Sequence, residues 1–136
     1  LLQRKVIDQL HIRSNLPHTN EMYNRFLGLC RMSISIGHTG TEAAMHVKGR
    51  VLESALAGAA LLETKGAPTS YWFRPGLDYL EYGDADEAAA IVRRLEHERE
   101  ATQAMAWSLR ARVLAEHTPE KFWGRIFEKL GIDATV

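Results

Sequence analysis

One cysteine, Cys30, stands in a chain of 136 residues. A single thiol excludes an internal disulfide framework and suits a reducing compartment, so a cytoplasmic location is expected. An excess of either charge is lacking too, since 17 Lys and Arg balance 17 Asp and Glu. That balance is without the basic surplus of a general nucleic-acid binder, and no nucleic-acid partner is expected. No apolar run reaches the roughly 18 residues that suggest a membrane span, so no transmembrane segment is expected. No signal peptide is visible. The six His residues show no metal-ligand spacing, and neither metal nor cofactor is expected. Repeats and low-complexity tracts are missing. So is an initial Met: the chain starts Leu1-Leu2-Gln3-Arg4 inside an amphipathic pattern, and truncation at the N-terminus is expected. What remains is a length suited to one domain, residues 1–136, with 46% hydrophobic residues to build a core.

Periodicity orders the chain. Leu2, Val6, Ile7 and Leu10 form a short helical stripe before the break at Leu16-Pro17-His18. Thr19 or Asn20 can cap a helix whose Met22, Tyr23, Phe26, Leu27 and Cys30 share one face. Residues 32–36 alternate and include β-branched side chains, which predicts a strand. A polar loop, Gly37-His38-Thr39-Gly40-Thr41, follows. Val47, Val51, Leu52, Ala55, Leu56 and Ala59 then make a helical stripe, broken at Gly58. The run Ala59-Ala60-Leu61-Leu62 is apolar without alternation, as in strands covered on both faces. Residues 70–73 suggest one helical turn, and residues 78–82 a third strand. Asp84 with Glu87 three residues on starts a further helix. Residues 99–116 form a long helix with Met105, Ala106, Leu109 and Val113 inward. Thr118 and Pro119 open a last one, and its Phe122, Trp123, Ile126 and Phe127 are expected in the core. The helical segment at the C-terminal end spans about 99–131.

Strands alternating with helices imply an α/β fold, a Rossmann-like parallel sheet with flanking helices. Three strands make a narrow sheet with two edges, which supports truncation and predicts dimerisation or marginal stability of the chain alone.

The chemistry concentrates at 48–63. A helix that begins Lys48-Gly49-Arg50 brings free N–H groups, the positive end of the helix dipole and two cations to one volume. Cations oppose the dipole at that end, which argues for a bound anion. Glu53, one turn on, can accept hydrogen bonds from sugar hydroxyls; the plain alternative is an exposed ion pair with Arg50. His38 and Thr39 follow the C-terminal end of a strand, the edge where open α/β sheets bind ligands. His38 can donate to a phosphate or a hydroxyl, or be an ordinary loop residue. Tyr71, Trp72 and Phe73 suit the core or an interface with another domain better than base stacking. His117 is read as a link between the last two helices. Cys30 has no base beside it and does not read as a nucleophile.

Lys48-x-Arg50-x-x-Glu53, Ala57-Gly58-x-x-Leu61-Leu62, Phe73-x-Pro75-Gly76, Tyr82-x-Asp84-x-Asp86-Glu87 and Arg112-Val113-Leu114-x-Glu116-His117-Thr118 occur in that order. Together they resemble the C-terminal half of group 1 glycosyltransferases, in the bacterial branch typified by spore-maturation-type proteins. The resemblance covers roughly residues 20 to 130. It implies a GT-B architecture, with two Rossmann-like domains facing across a cleft. The nucleotide-diphosphate sugar donor would be the small-molecule partner. An N-terminal acceptor-binding domain, absent from this chain, would be the other. In retaining relatives a Glu-x7-Glu motif serves the donor. Its second Glu, which holds the ribose, falls on Glu53, while its first falls on Met45. The resemblance therefore implies donor contacts from Glu53, Arg50, Lys48, Gly49, His38 and Thr39, a sugar contact weakened by Met45, and transfer with retention. The fragment alone is expected to be inactive. The competing readings are a non-catalytic nucleotide-sugar-binding or self-association module, and a receiver-like regulatory domain. The latter needs an acidic cluster after the first strand, which the sequence lacks.

Overall fold

A computed structural model describes residues 19–38 and 44–132. The stripe at Leu2–Leu10 and the loop residues Thr39 to Ala43 lie outside them. The described elements run α1 (Asn20–Leu29), β1 (Met32–Ser35), α2 (Gly49–Ala57), β2 (Ala60–Thr64), a 3-10 turn (Pro68–Tyr71), β3 (Leu80–Tyr82), α3 (Ala85–His97), α4 (Arg99–Glu116) and α5 (Pro119–Leu130).

The strands form one parallel sheet in the order β1-β2-β3. Met32 faces Ala60 and Ile34 faces Leu62 across one pair; Leu62 faces Leu80 and Thr64 faces Tyr82 across the other. β2 is central and buried along its whole length, which is why its sequence does not alternate. Its side chains still point to opposite faces, and each face anchors a core. Leu61 joins Val51, Ala55, Phe73, Tyr79, Leu109 and Val113. Ala60 and Leu62 join Tyr82, Ala88, Leu95, Met105 and Ala106. The first core thus covers β2 with α2, the second with α3. α4 contributes to both, through Leu109 and Val113 on one side and Met105 and Ala106 on the other. Full burial of a leucine contributes about 1.5–3 kcal/mol, so Leu61, Leu62 and Leu109, all inaccessible to solvent, are principal holds on the sheet. The fold class expected from the sequence is the one found.

Local chemistry sets the helix ends. Thr19 caps α1 by accepting from the Met22 N–H. Asp84 caps α3 by accepting from the Asp86 and Glu87 N–H groups, and Glu87 reaches back to the Gly83 N–H at 2.7 Å. α2 ends where Gly58 enters the left-handed region at φ 75°. The Gly58 and Ala59 N–H groups then return to the carbonyls of Ala55 and Ser54, closing the last turn without the steric cost of a Cβ.

Several expectations need correction. The third strand starts at Leu80 and not at Asp78, because the Asp78 carboxylate is occupied by Arg74, Ser108 and Arg112 and holds the preceding loop back on itself. Leu56 lies on the outer side of α2 and is half exposed. Met22 and Phe26 likewise sit on the outer side of α1, leaving Leu27 as its buried residue. The largest departure is α5. Its apolar face was expected in the core, yet none of its residues is buried, and Phe122 and Trp123 are each 53% exposed. Periodicity shows that a helix has an apolar face but not how closely other elements cover it; Leu52, Tyr71 and Trp72 meet the α5 face only across an open groove. Trp123 instead packs its ring against Phe122 and Phe127 on α5 itself.

Candidate functional site

The C-terminal ends of the three strands are tied together. The Gly37 N–H, just past β1, donates to the Thr64 hydroxyl at the end of β2 (3.2 Å). That hydroxyl donates to the Tyr82 oxygen at the end of β3 (3.3 Å), and the Tyr82 hydroxyl donates back to the Ser35 carbonyl (2.8 Å). The Gly37 carbonyl accepts from the His46 N–H at 3.0 Å, and His38 bridges Met45 in antiparallel fashion. The chain that left β1 is therefore brought back over the sheet edge and delivered to the start of α2. A Cβ at Gly37 would stand 3.1 Å from the Ala67 Cβ, a tight approach, and 3.6 Å from the Glu63 carboxylate, an ordinary contact, so the loops after β1 and β2 come close together at this glycine.

Glu63 is the buried hinge of this arrangement. It is inaccessible to solvent, with one carboxylate oxygen accepting from the Thr64 N–H (2.8 Å) and the other from the Thr69 hydroxyl (3.3 Å). By accepting both bonds, the Glu63 side chain pins the loop after β2 to the strand end.

Lys48 is the N-cap residue of α2, in extended conformation, and makes no side-chain cap bond. It cannot make one, since an ammonium has no acceptor. No acidic residue lies in the first turn either. The start of α2, with Gly49 exposed, is thus an anion-favouring helix end left open by its own sequence. Glu53 lies one turn on. Its Oε2 is 3.7 Å from the Arg50 Nε, with the two side chains 43% and 41% exposed. Such an exposed pair contributes at most about 1 kcal/mol to stability and leaves both partners available. Oε1 points back along the helix, 3.4 Å from where a Cβ of Gly49 would stand.

Lys48, Gly49, Arg50 and Glu53 are therefore brought together as the sequence suggested. His38 is exposed and lies on the strand edge, joined to the group through the Met45 bridge. Thr39 lies outside the described residues. Tyr23 was missed: its hydroxyl donates to Glu53 Oε2 at 2.5 Å, and Arg50 lies over its ring, 5.3 Å from the centroid. The α1 stripe pointed to a packing residue there, and no sequence signal linked it to Glu53. Glu63 was missed as a buried carboxylate, although its place at the end of an apolar run was a signal.

His117 ends α4 and precedes the cap of α5. Its ring stacks on Trp72 (5.5 Å) and lies 5.0 Å from Phe73. Burial, then the charges of Arg125 and Arg112, push its imidazole below the usual value against the opposing pull of Glu116, which keeps it neutral at pH 7. It links the last two helices to the 3-10 turn and opens on a groove of about 790 Å³ between Trp72 and α5. Cys30 donates to the Phe26 carbonyl, and burial raises its pKa, so it stays a thiol. Among the described residues no cluster of three metal-ligating side chains occurs, and no helix is long and apolar enough to cross a membrane.

Comparison with known proteins adds three findings. No curated protein matches the chain. The Anabaena protein Alr3699/HepE, solved in complex with UDP, superposes with a TM-score of 0.68 at 17% identity, over 79% of this chain and 29% of that one. The chain thus spans less than a third of that protein's length, and the likeness is one of fold. The model of the glycosyl transferase-like family matches residues 5–128. The match takes in the described strands and the open start of α2, and by it the chain belongs to the glycosyl transferase-like family.

Proposed function

We propose that this chain is the donor-binding part of a GT-B glycosyltransferase, of the spore-maturation-type branch, which moves a sugar from a nucleoside-diphosphate sugar to an acceptor. The single observation that carries the reading is the start of α2, open to an anion at the strand edge, with Glu53 one turn in. In this reading Glu53 accepts from the ribose hydroxyls. The diphosphate lies against the Gly49 N–H, Lys48 and Arg50, with His38 and Thr39 on the loop beside it. The helix end and both cations stabilise the charge that the diphosphate gains as the sugar leaves. Transfer proceeds with retention, as in relatives that share the ribose carboxylate. Met45, in place of a second acid, bridges His38, so nucleotide recognition dominates over sugar recognition. The UDP held by the superposed Anabaena protein supports a uridine nucleotide as the first probe.

Titration calorimetry with UDP and UDP-sugars tests this. Saturable binding is expected, and Glu53→Ala is expected to weaken it at least tenfold, a loss of about 1.4 kcal/mol. No binding of any nucleoside diphosphate would overturn the reading.

A second domain that binds the acceptor belongs to this proposal, and the chain by itself is then inactive. The exposed face of α5 also favours self-association, since isolated apolar patches of this kind mark contact surfaces. Light scattering is expected to find dimers, and the joint change Phe122→Ser and Trp123→Ser to return monomers. A wild-type monomer at high concentration contradicts the self-association reading.

A further inference from the structure

We infer that Tyr23 is a positioning residue for the nucleotide ribose, holding the Glu53 carboxylate in the orientation in which it meets the sugar hydroxyls; the inference rests on the proposed role of Glu53. Tyr23 stands on α1, thirty residues before Glu53 in sequence, and it reaches both charged members of the site at once. Its hydroxyl donates to Glu53 Oε2 at 2.5 Å, while its ring face carries the Arg50 guanidinium at 5.3 Å. One side chain thus fixes an anion with its polar tip and a cation with its π face.

The two carboxylate oxygens are thereby given different surroundings. Oε2 faces Tyr23 and Arg50. Oε1 faces Gly49 at the open end of α2. A carboxylate oxygen can accept more than one hydrogen bond, so the Tyr23 bond leaves room for a ribose diol while removing the rotation of the carboxylate. A hydroxyl donating to an ionised acceptor is among the stronger hydrogen bonds. The Arg50 pair, spaced three residues apart on one exposed helix face, cannot supply that restraint alone. Burial first, and then the bond to Glu53, raise the Tyr23 phenol above its usual value against the pull of Arg50, so it remains a donor at neutral pH. Without the hydroxyl, Glu53 must be ordered when the nucleotide binds, and ordering one such side chain costs about threefold to tenfold in affinity.

The test compares the wild type, Tyr23→Phe, Glu53→Ala and the double variant by calorimetry, with UDP and 2′,3′-dideoxyuridine diphosphate. Tyr23→Phe is expected to weaken UDP about threefold to tenfold, to leave the dideoxy nucleotide unchanged, and to add nothing in the Glu53→Ala background. An unchanged UDP affinity in Tyr23→Phe, where Glu53→Ala weakens it, overturns the inference and spares the ribose assignment. Equal losses for both nucleotides overturn it in favour of a purely structural role. A Glu53→Ala variant that binds UDP like the wild type overturns the ribose assignment and the inference with it.

Discussion

Asp78→Ala is expected to lower the melting temperature by about 10 °C, from a loss of about 3 kcal/mol. The Asp78 side chain is inaccessible to solvent, and its two oxygens accept from the Arg74 N–H, the Arg74 guanidinium and the Ser108 hydroxyl at 2.7–3.1 Å. Arg112 on α4 lies 3.1 Å away. The carboxylate therefore fastens the loop before β3 to α4, and its removal leaves Arg112, itself mostly covered, without its buried counter-charge. Burial by itself raises the Asp78 pKa, but the hydrogen bonds from Arg74 and Ser108 and the Arg74 charge outweigh it and hold the carboxyl well below the usual range. A carboxyl depressed in the folded state stabilises at pH values above its unfolded pKa, near 3.9, and that stabilisation is lost as pH falls below it. Thermal melts followed by circular dichroism should show the wild type losing stability between about pH 5 and pH 2. Asp78→Ala should show a smaller loss over the same window. A variant as stable as the wild type at pH 7 would contradict this account.

Phe73→Ala is expected to cost about 3–5 kcal/mol in urea unfolding, with the slope against urea unchanged. Phe73 is almost wholly buried and packs with Val51, Ala55, Leu61, Tyr79, Leu109 and Val113. It joins the loop after β2 to the helix that carries Glu53, and its ring also meets His117. Truncation leaves a void between α2, β2 and α4 that rigid neighbours fill only in part. Phe73→Leu keeps most of the volume and is expected to cost less than about 1.5 kcal/mol. A loss below about 1 kcal/mol for Phe73→Ala would show that the site collapses freely around the missing ring.

Much of the architecture was legible because its signals are local. Thr19, Asp84, Gly58, Thr118 and Gly131 mark helix ends through bonds within a few residues. The unbroken apolar run at β2 announced a central parallel strand, and the cluster at Lys48, Gly49, Arg50 and Glu53 lies within a turn and a half of one helix. Each of these depends on spacing along the chain, which a sequence displays directly.

The remaining features depend on which distant segments meet. Tyr23 lies thirty residues from Glu53, Asp78 thirty from Ser108, and Tyr82 forty-seven from Ser35. An aromatic on an amphipathic face reads as packing until a neighbour shows that its hydroxyl has an anion to hold. α5 makes the converse point, since its apolar stripe was plain and its covering was not. The sequence by itself determined the α/β order of elements, the helix ends and the grouping of charges at the start of α2. The tertiary structure alone decided which carboxylates are buried, which aromatics are exposed and which side chain orients Glu53, because those depend on contacts that helix and strand periods do not encode.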